Sequence, residues 1–180
     1  MRWLNLSGNQ FKKLPTSVGK LKELKWFDMS DNLLEKLPET IGQLRALTFL
    51  ALSINQLKLL PTSINNLDSL ENLSLLSNQL KNIPQQIGSL SRLRELDLTS
   101  NYLDSLPTTI GKLLNLSRLN IADNKLKYLP NSFKSLQKLS QINLKKNQFD
   151  NFPIILSYLS QLEYINLECK SFNYHSPENY

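Results

Sequence analysis

The 180-residue sequence predicts an α/β repeat protein, in which one strand-and-return unit recurs along the chain. Two observations carry this prediction. First, asparagines recur every 23 positions, at Asn9, Asn32, Asn55, Asn78, Asn101, Asn124 and Asn147. Second, a proline follows each of these asparagines by six positions, from Pro15 to Pro153. A fixed period of about 20–50 residues is the signature of stacked structural repeats, so we expect one continuous stack rather than several globular domains.

Each repeat contains a strand segment followed by a return segment, and the fifth repeat shows both. Around Asp97 apolar and polar residues alternate, which places Leu96 and Leu98 on one face of a short strand. In the return, residues 107–116, apolar side chains recur at every third position, a spacing typical of a helical or 3₁₀ turn. Pro107 is compatible with the start of such a turn, because the first N–H groups of a helix need no intrahelical partner.

The asparagine of each repeat is predicted to be structural. A strand that bends away leaves buried N–H and C=O groups, and each such group without a partner costs about 1–3 kcal/mol. An asparagine side chain carries both donors and an acceptor, so it can bridge its own turn and the neighbouring one. We therefore expect the whole ladder, from Asn9 to Asn147, to hold the coil together rather than to bind a ligand.

The full repeat reads Leu-x-x-Leu-x-Leu-x-x-Asn-x-Leu-x-x-Leu-Pro-x-x-Ile-x-x-Leu-x-x, and its second half appears as LxxLPxxIGxLxxL at residues 34–47 and 103–116. With these residues the chain resembles the leucine-rich repeat proteins, and it is similar to both the intracellular Ras-group scaffold proteins and the bacterial members. The resemblance implies a curved α/β solenoid with a parallel sheet on the concave side and short helical or 3₁₀ returns on the convex side. It also implies protein binding through the concave side, in a scaffold or signal-transduction role.

The repeats are expected to form one domain, residues 1–170, with seven full copies and a partial eighth, followed by an irregular tail, residues 171–180. In the eighth copy Lys170 stands where the asparagine belongs, and His175 and Ser176 replace the leucine and the proline. Met1 already occupies the first apolar position of a repeat, so we expect either a fragment of a longer array or a second chain over the N-terminal strand. A monomer is the expected state, with an edge-to-edge dimer through that strand as the alternative.

Composition argues against an enzyme and leaves two alternatives for the compartment. The chain has one histidine and no phosphate-binding glycine motif, so no catalysis, cofactor or metal site is predicted. The single cysteine, Cys169, cannot form an intramolecular disulfide, which favours the cytoplasm. The sequence shows neither a signal peptide nor an apolar run of ~20 residues. The alternatives are a bacterial surface or secreted protein, and the recognition arm of a larger multidomain protein.

The strand positions that the repeat leaves free are the candidate binding residues. Stacking the copies in register places Trp3, Trp26 and Phe49 in one column, as a continuous aromatic stack. Ile54 and Leu76 occupy neighbouring edge positions and extend this apolar patch. Exposed aromatic clusters are typical of protein interfaces, although such a stack also stabilises adjacent strands without any partner. Specificity is predicted to come from a set of charged residues on the same face: Asp28, Arg94, Glu95, Asp97 and Arg118.

The net charge of +6 is not gathered on this face. Its free strand and edge positions carry six basic and eight acidic residues, so the basic excess lies on the returns and the tail. Nucleic-acid binding requires Lys and Arg clustered along a stripe. The expected partner is therefore another protein, and neither a nucleic-acid partner nor a membrane span is predicted.

Overall fold

The computed structural model describes residues 1–168, which form a coil of eight turns with one three-residue strand in each turn. The strands lie side by side in one parallel sheet whose order follows the chain. Their bounds are β1 Trp3–Asn5, β2 Trp26–Asp28, β3 Phe49–Ala51, β4 Asn72–Ser74, β5 Glu95–Asp97, β6 Arg118–Asn120, β7 Gln141–Asn143 and β8 Tyr164–Asn166. The predicted α/β solenoid is confirmed. The predicted tail, residues 171–180, lies outside the described residues, as do Cys169 and Lys170.

Short 3₁₀ turns of five residues connect successive strands. Their bounds are η1 Thr16–Lys20, η2 Glu39–Gln43, η3 Thr62–Asn66, η4 Gln85–Ser89, η5 Thr108–Lys112, η6 Asn131–Ser135 and η7 Ile154–Tyr158. Each turn begins directly after the recurrent proline, whose ring holds φ between −64° and −73°. The proline carbonyl then accepts the first bond of the turn, as from Ile110 N–H to Pro107 O at 3.0 Å. Within residues 1–168 no helix has the length and apolar character needed to cross a bilayer.

One hydrophobic core runs along the coil between the sheet and the 3₁₀ turns. In the fifth turn its members include Leu96 and Leu98 from the strand segment, Leu103 from the ascending loop and Ile110 from η5, all of them buried. Burying an aliphatic side chain of this size stabilises the fold by ~1.5–3 kcal/mol. Because each full turn repeats this set, the core holds every turn against its neighbours and fixes the register of the sheet.

The ladder asparagines bridge adjacent turns, as Asn101 illustrates. Its Nδ2 donates to the carbonyl oxygens of Leu75 at 3.0 Å, Leu98 at 3.1 Å and Thr99 at 3.2 Å. Its Oδ1 accepts a bond from Leu80 N–H at 3.0 Å. The same four-bond pattern recurs at Asn32, Asn55, Asn78, Asn124 and Asn147. These six side chains are at most 8% exposed, so their bonds lie out of reach of water.

Asn9 differs from the other six ladder residues. Its Nδ2 donates to the carbonyl oxygens of Leu6 and Ser7, both at 3.1 Å and both within its own turn. Its side chain is exposed. Since the described residues contain no earlier turn beside it, Asn9 makes only the local part of the pattern that its equivalents complete.

Candidate protein-binding surface

Three aromatic rings stack along the first three strands. The sheet pairs Trp3 with Trp26 and Trp26 with Phe49, so the three side chains share one column on the face opposite the core. The ring centroids of Trp3 and Trp26 are 5.5 Å apart at an interplanar angle of 29°, and those of Trp26 and Phe49 are 5.2 Å apart at 6°. Trp3 is 68% exposed, whereas the other two side chains are half-buried by their neighbours. The rings therefore present a preformed aromatic surface to solvent.

A second apolar feature crosses the same face at β3 and β4. We define the apolar strip as Phe49, Ala51, Ile54 and Leu76. Ile54 and Leu76 lie beyond the strand ends rather than in the aromatic column, and Ile54 N–H donates to the carbonyl oxygen of Leu76 at 2.7 Å. Ile54 is 52% exposed, and Leu76 is half-buried. Ala51 lies between Phe49 and this edge and is only 6% exposed, so the exposed apolar surface of the strip comes from Phe49, Ile54 and Leu76.

Ile54 also has an unusual backbone conformation. The residue before each ladder asparagine turns the chain through positive φ, and the non-glycine residues there have φ of 54–55°: Asp31, Ile54, Ser77, Ser100, Asp123 and Lys146. Ile54 is the β-branched member of this set, and a β-branched residue in the left-handed region is an outlier. Such a conformation costs about 1–3 kcal/mol. The chain thus has an exposed apolar side chain at a position where Gly, Asp, Ser or Lys occurs in other turns.

The charged residues predicted to set specificity are partly paired with one another. Arg118 Nη1 lies 2.7 Å from Glu95 Oε1, and Arg94 Nε lies 3.6 Å from Glu71 Oε2. All four side chains remain well exposed, so each pair stabilises the fold by no more than ~1 kcal/mol. Arg94, Glu95 and Arg118 are therefore present on this face in neutral pairs rather than as separate charges.

Asp28 and Asp97 have a local structural role that the sequence reasoning missed. Asp28 Oδ1 accepts a bond from Ser30 N–H at 2.8 Å, and Asp97 Oδ1 accepts one from Thr99 N–H at 2.9 Å. Asn5 and Asn143 cap their own strand ends in the same way. The sequence contained a signal for this role, because Asn and Asp recur in the column of Asp28 and Asp97. Short polar side chains that accept a bond from the N–H two residues ahead favour such turns. The second oxygen of each aspartate makes no hydrogen bond within residues 1–168, so it is free to meet a partner.

Sequence comparison identifies the family that shares this architecture. A family model described as a leucine-rich repeat region matches residues 1–101 and again residues 80–178, which together cover nearly the whole chain. The chain belongs to the leucine-rich repeat family. The resemblance predicted from its repeats is confirmed. Comparison with curated protein sequences gives no match.

Two solved structures of bacterial leucine-rich repeat proteins are similar to the chain. A leucine-rich repeat protein of Leptospira interrogans is 34% identical, with a TM-score of 0.73 over 93% of this chain and 49% of that one. An internalin of Listeria monocytogenes is 20% identical, with a TM-score of 0.79 over 95% of this chain and 49% of that one. The second likeness concerns the fold alone. The chain spans about half the length of either protein.

The concave face of this leucine-rich repeat protein holds a groove of about 420 Å³ beside the aromatic stack. Phe49 lines one end and Tyr164 the other, and Asp97 and the Glu95–Arg118 pair lie between them. The sequence placed Tyr164 in the aromatic column but did not single it out. The described residues include no group of three His, Cys, Asp or Glu side chains that could hold a metal ion. The apolar, polar and charged side chains that line the groove are suited to binding through shape, apolar contact and charge.

Proposed function

We propose that this leucine-rich repeat protein is a non-enzymatic interaction module that binds a partner protein on its concave face. The observation that carries the proposal is the stack of Trp3, Trp26 and Phe49, exposed on the face that points away from the core. Contiguous exposed apolar surface rich in tryptophan is characteristic of interface hot spots. Leucine-rich repeat domains are protein-interaction modules as a family, which agrees with this role.

The rigidity of the platform favours binding over a purely internal role. Cross-strand aromatic pairs contribute about 0.2–1 kcal/mol each to a sheet, a small gain beside the core. Such stabilisation does not explain why Trp26 and Phe49, which have a strand on each side, stay partly exposed on this face. Because the sheet and the stacking already hold the rings in place, little side-chain entropy is lost when a partner covers them. The stack thus provides affinity at a low ordering cost.

Charge on this face argues against a nucleic-acid partner. Two of its arginines, Arg94 and Arg118, are paired with glutamates, and the carboxylates of Asp28 and Asp97 lie on the same surface. Phosphate recognition depends on unpaired Lys and Arg along the contact. These carboxylates would repel the phosphates of a nucleic acid, but they do not prevent a protein from binding to the same surface.

A second proposal concerns the place of this module in its protein. The similar Leptospira and Listeria chains are about twice as long, so the repeats described here fit a recognition arm of a longer bacterial protein. A signalling scaffold in the cytoplasm and a surface or secreted receptor-binding protein are the two settings for such an arm. Fractionation of the native source with an antibody against the repeats separates the two settings.

The proposed binding face is tested by differential capture. The immobilised wild-type chain, a Trp26→Ala/Phe49→Ala variant and a Phe152→Ala variant are exposed to the same lysate of the native source. Phe152 is 49% exposed and lies outside the sheet face, so it serves as the matched aromatic control. We expect a protein that is retained by the wild type and the control and lost by the double variant. Equal retention by all three folded chains, verified by circular dichroism, contradicts the proposal.

A further inference from the structure

We infer that the concave face recognises an extended segment of a partner protein in which one large apolar side chain is flanked by two Lys or Arg side chains. This inference rests on the proposed function and names the chemistry of its partner. It follows from three observations: the position of the apolar strip, the carboxylates on its two sides, and the spacing that the strands impose.

The apolar strip interrupts a polar column. Along the sheet, Asp28 of β2 pairs with Ala51 of β3, Ala51 with Ser74 of β4, and Ser74 with Asp97 of β5. The other turns carry Asn or Asp at this position, so small side chains occur there in two adjacent turns only. The Oγ atoms of Ser53 and Ser74 lie 2.7 Å apart, so the two hydroxyls are hydrogen-bonded to each other. The middle of the column is therefore small and uncharged.

This small site is bounded by larger apolar groups. Phe49 lies on one side of Ala51, and Ile54 and Leu76 lie on the other, beyond the strand ends. Ile54 is kept here although its left-handed φ of 54° opposes a β-branched residue. Seven turns take positive φ at this position, so the backbone conformation belongs to the repeat, and Ile54 differs from its equivalents in its exposed β-branched side chain. Because Ala51 is only 6% exposed, a bound aliphatic or aromatic side chain meets the strip at Phe49, Ile54 and Leu76.

Unpaired negative charge borders the site on both sides. In turns two to five of the described surface, the Glu71–Arg94 pair neutralises itself, and Glu95 is paired with Arg118. Among residues 1–168, Asp28, Asp31 and Asp97 have no ion-pair partner. At the free strand and edge positions of these turns, Lys25 is the one cation outside the pairs. The border therefore favours cations on the bound segment.

Strand spacing fixes the pattern that the segment must have. Asp28 and Asp97 are three strands apart in one column, a distance of ~14 Å at ~4.8 Å per strand. An extended chain rises ~3.3 Å per residue and presents alternate side chains to one face, so about four residues span this distance. Cations at positions i and i+4 then meet the two aspartates, while an apolar side chain at i+2 meets the strip. A helix would need about nine residues to cover the same distance.

A second copy of this chain does not meet the requirement. The chain contains one such pattern, Lys-Ser-Leu-Gln-Lys at residues 134–138, but its central Leu136 is fully buried in the core. A folded copy cannot present that leucine without opening its own η6 turn. The occupant is therefore a segment of another protein.

The test uses random peptides displayed on phage and selected on the immobilised wild-type chain. Selected sequences are synthesised with a fluorophore, and their Kd values are measured by anisotropy against three variants. Trp26→Ala/Phe49→Ala probes the face, and Asp28→Asn/Asp97→Asn removes charge while an amide oxygen keeps the local bond, as Asn5 and Asn143 do. Glu35→Gln/Asp104→Asn removes two charges from exposed loop positions as the matched control.

We expect the peptides lost on the Trp26/Phe49 variant to be enriched in Lys or Arg at i and i+4 with an apolar residue at i+2. Their Kd should rise by ~tenfold or more on Asp28→Asn/Asp97→Asn and change little on the control. Face-dependent peptides that are acidic or uncharged, or that keep their affinity without the two carboxylates, overturn the inference and leave the proposed function standing. The absence of any face-dependent peptide overturns the proposed function itself. Self-association of the wild type in sedimentation, abolished by Asp28→Asn/Asp97→Asn, assigns the site to a second copy and overturns the inference.

Discussion

The two halves of the concave face share one backbone and differ in what their free positions do. In the column that begins with Trp3, the first three turns stack aromatic rings, whereas the fifth and sixth turns pair Glu95 with Arg118. Both halves use the same asparagine bonds and the same buried leucines. The repeat therefore determines the scaffold everywhere, and only the free positions distinguish an apolar surface from one whose charged side chains pair with each other.

The largest expected effect concerns the asparagine ladder, which both halves share. Asn55→Leu in the N-terminal half and Asn124→Leu in the C-terminal half each remove four hydrogen bonds of a buried side chain. Unpaired buried backbone groups cost about 1–3 kcal/mol each, so we expect each change to lower the free energy of unfolding by ~3 kcal/mol or more. Guanidinium chloride unfolding followed by circular dichroism measures the loss.

Asn9→Leu is the control for these two variants. Asn9 is exposed and bonds only within its own turn, so its replacement should cost less than ~1 kcal/mol. A cost at Asn9 as large as that at Asn55 would show that the bridge between turns is not what the ladder provides. Unequal costs at Asn55 and Asn124 would break the equivalence of the two halves as scaffold.

The next largest effect distinguishes how much each half contributes to the affinity for the partner. Trp26→Ala and Gln141→Ala change the same column, one in the stack and one beyond the Glu95–Arg118 pair. Truncating a hot-spot tryptophan costs ~2 kcal/mol or more, which weakens binding by ~30-fold. We expect that loss for Trp26→Ala and less than ~3-fold for Gln141→Ala, measured by calorimetry with the partner captured on the wild type. Equal losses would place the binding energy over the whole face and refute the asymmetry.

The scaffold was predictable from the sequence, because a strict 23-residue period forces equivalent residues of successive turns into one column. For this reason the register of Trp3, Trp26 and Phe49 agrees with the spacing alone. The side-chain pairing and the backbone conformation of the binding surface were harder to predict from the sequence. The pairing of Arg118 with Glu95 depends on rotamers, and the positive φ at Ile54 is a property of the backbone that a polarity pattern does not encode. Gly8, Asp31 and Ser77 at equivalent positions were the available clue, since these residue types tolerate left-handed turns.

Ile54→Gly tests whether the N-terminal half maintains its apolar strip at the expense of stability. Glycine adopts φ of 54° without strain, so the change should raise the free energy of unfolding by ~1 kcal/mol while it weakens partner binding. Ser77→Gly, at the equivalent position of the next turn, is the matched control and should alter neither quantity by more than ~0.5 kcal/mol. A less stable Ile54→Gly chain would mean that Ile54 contributes to packing and is not strained.

The smallest expected effect concerns the C-terminal half of the face, where Glu95 and Arg118 form an ion pair. Arg118→Gln removes the cation that holds Glu95 at 2.7 Å, and because both side chains are exposed the free energy of unfolding should fall by less than ~1 kcal/mol. The change also releases a carboxylate two residues from Asp97. A cationic segment bound along the face then meets one more unpaired negative charge, so its Kd should fall by ~2–3-fold at low salt and return towards the wild-type value at high salt. Weaker binding by Arg118→Gln at low salt would mean that the arginine itself contacts the partner, and the Glu95–Arg118 pair could then no longer be regarded as neutral towards that partner.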